Sequence, residues 1–229
     1  MDPIYCVDVS EHNGDIDWVA AAEHGLEYAI IRAGFGQDIS SQDDKYFFIN
    51  MDNAINAGIK VGVYFYSYAK TATQARGEAA HCIRLLSKYR DRMSLPVFYD
   101  CEENSIYDHV AETVPAFTSV LKAAGYNVGV YAPVAWFSSC LQNIAIDFLW
   151  IAYWGQSKPN YADIWQFTDN EYWTGIGRCD LSWIEIDPSE MPALIQKPQP
   201  SPSEKDTEIL NYLNDIDCIL DKIRAIISS

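Results

Sequence analysis

Three carboxylates follow directly behind an apolar run in the segment LPVFYDCEEN, residues 95–104. The apolar run predicts a buried strand, and Asp100, Glu102 and Glu103 crowd its carboxyl end. Carboxylates beside a core lose hydration and repel one another, so packing gains nothing obvious from this arrangement. Side chains two residues apart on a strand share a face, so we expect Asp100 and Glu102 to point together and Cys101 and Glu103 to point away.

Paired carboxyls on one face can differ in pKa, so that one is ionised while the other keeps its proton. Cleavage of a glycosidic bond needs this pairing, because one acid protonates the leaving oxygen and the other supports positive charge on the sugar. A solvated strand end and a Mg²⁺ or Ca²⁺ site are the competing explanations. No EF-hand or phosphate-loop pattern accompanies Asp100 and Glu102, so we predict no metal site.

Eight apolar runs bounded by turn residues predict eight strands, at residues 4–10, 28–35, 60–69, 95–102, 127–133, 148–154, 162–168 and 178–184. Helical patterns lie between the earlier runs, at residues 15–25, 43–58, 71–89 and 111–125. This alternation is typical of parallel strands buried on both faces, and eight of them predict an α/β barrel. The last three strands lack long helices between them, so the barrel should be irregular on that side.

Barrels of this class collect reactive groups at the carboxyl ends of their strands. The polar and aromatic residues expected at this rim are Asp8 late in the first strand, Tyr66 and Tyr68 in the third, Asp100 and Glu102 in the fourth, Tyr131 in the fifth, Trp154 in the sixth, Gln166 in the seventh and Asp180 within the last.

The formal net charge of −16 argues against phosphate contacts with DNA or RNA and against anionic lipid, so we predict no nucleic-acid or membrane partner. Seven Trp and fifteen Tyr are many for 229 residues. They are either core and surface anchors or part of a groove that stacks on sugar rings. The six cysteines form no CxxC pair, and the amino terminus has no basic, apolar leader, which indicates free thiols and synthesis in a reducing cytoplasm.

The carboxyl-terminal part of the chain differs from the predicted barrel of residues 1–195. Residues 196–205 are rich in Pro and Ser and predict a linker. Residues 206–229 carry apolar side chains at alternating spacings of four and three, which predicts an amphipathic helix. Two arrangements remain open, packing on the barrel or self-association into a homo-oligomer, and the Pro-rich spacer favours the second.

Several of these segments together resemble the glycoside hydrolase family 25 lysozymes over about residues 4–187, in that family's order. They include VDVSEHNGDIDW (7–18), AIIRAGFG (29–36), INAGIKVGVYFYSYA (55–69) and LPVFYDCE (95–102), followed by NVGVYAP, LWIAYW, DIWQFT and GRCDLSW. The family's opening Asp-x-Ser-x-x-x-Gly matches Asp8, Ser10 and Gly14. Its Asp-x-Glu matches Asp100 and Glu102, and its late Asp matches Asp180.

The resemblance implies an irregular (β/α)5β3 TIM-like barrel with N-acetylmuramidase activity and no cofactor. Such an enzyme cuts the β-1,4 bond between N-acetylmuramic acid and N-acetylglucosamine in bacterial peptidoglycan. It implies that Glu102 is the acid/base, while Asp100 orients or stabilises the substrate acetamido group or acts as nucleophile. Asp8 and Asp180 would shape the floor of the site and tune pKa values.

The remaining candidates are substrate-binding residues, each with a structural alternative. They are Tyr64, Tyr66, Tyr131 and Trp154, for which core packing is the alternative, Gln166 as a structural amide, His12 as a residue that fixes a loop, and Arg32 as half of an ion pair.

Three other functions compete with the muramidase. A chitinase-like enzyme would need an Asp at position 98, where this chain has Phe98. A non-catalytic cell-wall sugar-binding protein would not need all four acids, and a scaffold would depend on residues 206–229. The missing leader and the appended tail favour a phage endolysin, made in the host cytoplasm and acting on the bacterial cell wall.

Overall fold

Eight strands close into one barrel in the computed structural model, which describes residues 4–154 and 157–187. Neighbours in the chain are neighbours in the sheet, and β8 closes the barrel against β1. The strands are β1 (Ile4–Val9), β2 (Tyr28–Phe35), β3 (Lys60–Tyr66), β4 (Met93–Asp100), β5 (Val128–Pro133), β6 (Leu149–Ala152), β7 (Ile164–Trp173) and β8 (Gly177–Ile184).

Helices follow the first five strands, which confirms the irregular α/β barrel. They are α1 (Trp18–Glu23), α2 (Phe47–Asn56), α3 (Ala72–Leu86), α4 (Val110–Ala123) and a single turn, α5 (Val134–Phe137), with short 3₁₀ helices between them. The helices predicted at residues 43–58, 71–89 and 111–125 are therefore present as α2, α3 and α4, and each observed helix stops short of the predicted range at one or both ends. The turn α5 was not predicted, because its four residues are too few to show a helical period.

The last strand corrects the expectation of a wholly parallel sheet. β1 to β7 pair in parallel, whereas β8 runs antiparallel to both β7 and β1. Only residues 174–176 separate β7 from β8, and so short a connection can join antiparallel strands but not parallel ones. Gly175 in this turn approaches α1 so closely that an added Cβ would lie 2.4 Å from the backbone oxygen of Asp17.

Several predicted strand ends also move. Strands β3 and β6 stop at Tyr66 and Ala152, so Tyr68 and Trp154 lie just beyond them. Strand β4 stops at Asp100, which leaves Glu102 two residues outside the strand. Gln166 is the third residue of a long β7, and Arg32 lies in the middle of β2.

Two apolar layers hold the barrel. Its interior contains a cluster that includes Ile30, Phe98, Trp150 and Ile164, and a larger cluster fills the space between the strands and the surrounding helices. Inward and outward side chains alternate along each strand, so near-continuous apolar strands serve both layers. The same alternation decides which polar side chains reach the open end of the barrel.

The linker prediction for residues 196–205 and the helix prediction for 206–229, with its proposed self-association, lie outside the described residues. Of the cysteines in the described ranges, Cys6, Cys82, Cys101 and Cys179 are buried free thiols and Cys140 is partly exposed. No helix in those ranges has the length and apolarity to cross a bilayer.

Candidate active site

A cavity of about 760 Å³ opens at the end of the barrel where the parallel strands finish. Its volume falls within the range of small-molecule sites in proteins. The lining residues come from all parts of the barrel and are Asp8, Val9, Ser10, Glu11, His12, Asn13, Arg32, Phe35, Tyr64, Tyr66, Tyr68, Asp100, Glu102, Tyr131, Trp150, Trp154, Asp169 and Asp180. All four acids chosen from the sequence are therefore brought together in one cavity.

The register of the strands explains this convergence. Tyr66, Asp100 and Tyr131 are aligned across β3, β4 and β5, and each points inward. Cys101 lies between the two acids of the Asp-x-Glu pair but belongs to the outer apolar cluster. The alternation expected from the sequence thus continues past the end of β4, where Glu102 again faces the cavity.

Asp100 is the most deeply placed of the acids that line the cavity, with only 3% of its surface exposed. Its Oδ1 atom is buried and has no hydrogen-bond partner among the described residues. Burial raises the pKa of Asp100 well above its usual value, and the nearby charges of Glu102 and Asp8 raise it further. An unsatisfied carboxyl oxygen at the floor of an open cavity is a ready acceptor for a substrate N–H or O–H.

Glu102 lies at the mouth of the cavity, where its side chain is open to solvent on one side. Partial desolvation raises the pKa of Glu102 above its usual value, and the neighbouring hydroxyl group of Tyr131 opposes the shift. A carboxyl group with a raised pKa that still reaches solvent can give up a proton and take it back. Asp100 and Glu102 therefore occupy different environments within one site, as division of acid and base roles requires.

Gln166 connects the other two acids. Its Nε2 donates to Oδ2 of Asp8 at 3.0 Å and to Oδ2 of Asp180 at 3.4 Å. Its Oε1 accepts from the hydroxyl of Tyr131 at 2.9 Å and from the indole N–H of Trp154 at 3.3 Å. With 1% of its surface exposed, Gln166 lies beneath the cavity lining and not on it, so it holds cavity residues in place.

The pKa values of Asp8 and Asp180 are both raised. Burial raises the pKa of Asp8 well above its usual value, and the neighbouring charge of Asp180 adds to the effect. Desolvation and the charge of Asp169 raise the pKa of Asp180 to about 6. The two carboxyl groups face each other across β1 and β8 and both accept from Gln166, so each disfavours ionisation of the other.

Aromatic rings form the walls of the cavity. Tyr68 packs against Tyr66 and Phe35 with ring centroids 5.1 and 6.2 Å apart, and Tyr131 packs on Trp150 at 4.5 Å. Trp154 is 58% exposed, although its N–H is held by Gln166. Flat, partly exposed rings with fixed orientation suit the apolar faces of sugars.

The predicted residues His12 and Arg32 also line the cavity. Arg32 is committed to two acids, because its Nε donates to Asp44 at 2.7 Å and its Nη2 donates to Glu11 at 3.2 Å. His12 belongs to a short 3₁₀ helix capped by Ser10, and its side chain is exposed. These contacts agree with the structural alternative for Arg32.

Eight cavity residues were not selected as site residues from the sequence, namely Val9, Ser10, Glu11, Asn13, Phe35, Tyr68, Trp150 and Asp169. Tyr68 was expected at the rim of the barrel but was not chosen as a binding residue, and Phe35 stands at a strand end, which is a signal that could have found it. Glu11 and Asp169 lie in segments whose position depends on the closed barrel. In the described part of the chain, no group of three or more His, Cys, Asp or Glu side chains is arranged to hold a metal ion.

A (β/α)5β3 barrel with paired acids at its open end defines the class as a glycoside hydrolase. The model of glycosyl hydrolases family 25 matches residues 7–176, more than half of the chain. The chain therefore belongs to glycosyl hydrolases family 25.

Named relatives agree with this assignment. The autolytic lysozyme of Clostridium acetobutylicum is 29% identical over 180 residues, which cover 76% of this chain and 54% of that protein. Lysozyme M1 of Streptomyces globisporus is 28% identical over 167 residues, which cover 67% of this chain and 55% of that protein. The modular autolysin LytC from Streptococcus pneumoniae matches with a TM-score of 0.69 at 30% identity, over 80% of this chain and 46% of that one. The chain thus spans about half the length of these relatives.

Proposed function

We propose that this chain hydrolyses bacterial peptidoglycan by cutting the β-1,4 bond between N-acetylmuramic acid and N-acetylglucosamine. The observation that carries the proposal is the meeting of Asp100 and Glu102 with Asp8 and Asp180 in one cavity lined by aromatic rings. The names of the relatives, two lysozymes and an autolysin, support a cell-wall substrate.

Glu102 is the proposed acid/base. Its raised pKa favours the protonated form that a general acid needs, and its place at the mouth puts that proton within reach of a bound glycosidic oxygen. Glu102 gives the proton to the leaving oxygen as the bond between that oxygen and the anomeric carbon breaks. It then takes a proton from the water that completes the hydrolysis, so the enzyme ends each cycle as it began.

Asp100 is proposed to orient or stabilise the acetamido group of the sugar that develops positive charge. Its buried Oδ1 has no partner among the described residues, so a substrate N–H would satisfy it. The same carboxylate, when ionised, would stabilise positive charge on the acetamido group or the ring. Asp8 and Asp180 add negative charge beneath the same position, and none of these steps calls for a cofactor.

The test is mass analysis of the muropeptides released from purified Gram-positive cell walls. The wild-type chain is expected to leave new reducing ends on N-acetylmuramic acid. Replacing the acid/base by Glu102→Gln is expected to lower kcat by about a hundredfold to ten-thousandfold. The matched control is Glu103→Gln, because Glu103 belongs to the same segment but caps the next 3₁₀ helix, where its carboxylate accepts from the backbone of Ser105.

The possible outcomes separate the competing functions. New reducing ends on N-acetylglucosamine would overturn the proposed bond specificity. Binding to walls with no reducing ends released would support a non-catalytic cell-wall sugar-binding protein. Equal loss of activity in Glu102→Gln and Glu103→Gln would remove the acid/base role from Glu102.

A further inference from the structure

A buried carboxylate outside the cavity, Glu78, has no part in the proposed chemistry. Glu78 lies on α3 and its surface is fully buried. It accepts hydrogen bonds from Ser67 Oγ at 2.9 Å, from the hydroxyl of Tyr99 at 2.6 Å and from the backbone N–H of Tyr68 at 2.8 Å. Within residues 4–154 and 157–187, no Lys, Arg or His side chain forms an ion pair with it.

Burial of a carboxylate costs free energy, and packing alone does not require it. Burial raises the pKa of Glu78, while the hydrogen bonds from Tyr99, Tyr68 and Ser67 lower it. A buried carboxylate with no cation beside it is stable only when several donors surround it, and an apolar side chain of similar size avoids that cost. The donors indicate the role of Glu78, because through them Glu78 joins α3 to the ends of two strands that line the cavity.

The first connection is to the loop that follows β3. The backbone N–H of Tyr68 binds the carboxylate directly, and the hydroxyl of Ser67 binds both the carboxylate and the N–H of Ala69. This loop carries the ring of Tyr68, which packs against Tyr66 and lines the cavity. Glu78 thus fixes the backbone beneath one aromatic wall of the cavity.

The second connection is to the end of β4. The hydroxyl of Tyr99 reaches the same carboxylate oxygen as Ser67, and the Tyr99 ring stacks on Phe117 with centroids 3.8 Å apart. The next residue is Asp100, whose side chain points the other way, into the cavity. The backbone N–H of Ser67 also donates to the carbonyl of Asp100 at 3.1 Å, so the loop and the strand end are held to each other.

We propose that Glu78 is a positioning residue for the hydrolysis, holding Asp100 and the Tyr66–Tyr68 wall in register through Tyr99, Ser67 and the backbone of Tyr68. This inference rests on the proposed function, because it concerns the same cavity. A side chain outside the cavity thereby sets the relative placement of a catalytic acid and a sugar-binding wall.

Two substitutions at position 78 test the proposal. Glu78→Ala removes every connection, and we expect kcat/KM to fall by about tenfold to a hundredfold, as misplacement of a reacting group commonly causes. Glu78→Gln keeps an oxygen for the N–H of Tyr68, and its amide donates to the oxygens of Ser67 and Tyr99 once their hydroxyls rotate. The glutamine variant should therefore recover most of the activity that the alanine variant loses.

Two further variants separate positioning from stability. Tyr99→Phe keeps the ring stacked on Phe117 and removes only the hydroxyl that joins β4 to Glu78 and to Ser67, so we expect kcat to fall while KM stays close to the wild-type value. Asn50→Ala is the stability control, because Asn50 is a buried polar residue of α2 that accepts from Trp18 at 3.2 Å and does not line the cavity. It should lower Tm and leave kcat and KM unchanged.

The proposal is overturned if Glu78→Ala, measured below its Tm, keeps wild-type kcat and KM. Should that variant not fold, Tyr99→Phe decides, and wild-type kcat in Tyr99→Phe overturns the proposal. Failure of the wild-type chain to release reducing ends would instead count against the proposed function. In that case crystal structures of Glu78→Ala or Tyr99→Phe still decide, because Tyr68 and Asp100 in their original positions would refute the positioning role.

Discussion

Asp8 and Asp180 stand directly opposite each other on β1 and β8, and the Nε2 atom of Gln166 donates to both carboxylates. Two carboxylates so close cannot both ionise without cost, so one proton is shared between them as the pH falls. The orientation of the Gln166 amide is set as well, because its oxygen already accepts from Tyr131 and Trp154. The pair therefore keeps negative charge beneath the position where a sugar would develop positive charge.

The first prediction concerns the pH profile and Asp169. Desolvation and the charge of Asp169 raise the pKa of Asp180 to about 6, so Asp169→Asn should lower it by removing a like charge. Protonation of the Asp8–Asp180 pair removes charge that supports the transition state, so the ascending, acidic limb of the kcat profile should move to lower pH. The rate at which reducing ends are released, measured from about pH 4 to about pH 8, gives the position of this acidic limb. The control is Asp108→Asn at an exposed site, which should leave the acidic limb at its wild-type pH. An acidic limb at the wild-type pH in Asp169→Asn would contradict the prediction.

The second prediction concerns stability and Asp100. Burial raises the pKa of Asp100 in the folded chain above 3.8, the ordinary value that applies to the unfolded chain. At a pH between the unfolded and the folded pKa, the folded state therefore binds more protons than the unfolded state. Stability contributed at this site is therefore lost as the pH rises. Asp100→Asn removes the charge and should raise Tm at about pH 7 by about 2–4 °C, or about 1 kcal/mol, while abolishing activity.

The gain from Asp100→Asn should shrink as the pH falls towards the ordinary carboxyl value, since Asp100 in the folded state is then protonated and carries no buried charge. Thermal unfolding of both proteins at about pH 7 and about pH 4 measures the difference. Asp15→Asn, at an exposed position outside the cavity, is the control and should change Tm little. A gain of the same size at both pH values would exclude the electrostatic cause.

The third prediction concerns the exposed ring of Trp154. Its indole is anchored by Gln166 and 58% exposed at the cavity, so it offers a flat surface for a sugar. We expect Trp154→Ala to raise KM by about tenfold with a smaller effect on kcat, and Trp154→Phe to recover part of the loss by keeping a ring. Tyr172→Ala is the matched control, because Tyr172 is 71% exposed but does not line the cavity. Similar KM values for the two alanine variants would argue against a binding role for Trp154.

The fourth prediction concerns Arg32 as a structural ion-pair partner. Asp44 is only 2% exposed and is held by Arg32 as well as by the backbone N–H groups of Glu11 and Tyr46. Arg32→Met leaves this buried carboxylate without its cation and should lower the free energy of unfolding by about 3 kcal/mol. Urea unfolding measures the change, and Arg76→Met on the exposed face of α3 is the control. Equal losses in the two variants would show that the pair contributes little.

Local patterns in the sequence determined much of this protein. Apolar runs between turn residues located all eight strands, because burial on both faces leaves a signal within each run. Alternation along the chain also placed Asp100 and Glu102 on one side and Cys101 on the other. These features depend on neighbouring residues alone, so they can be read before the chain is folded.

Only the tertiary structure decided how distant segments meet. Strand β8 runs antiparallel and thereby sets Asp180 opposite Asp8, and Gln166 reaches Asp8 although 158 residues separate them in the chain. The same is true of Glu78, whose helical position shows no sign of the two strands it joins. Closure of the barrel fixes strand direction and register over such separations, and these long-range constraints leave no periodic trace in the sequence.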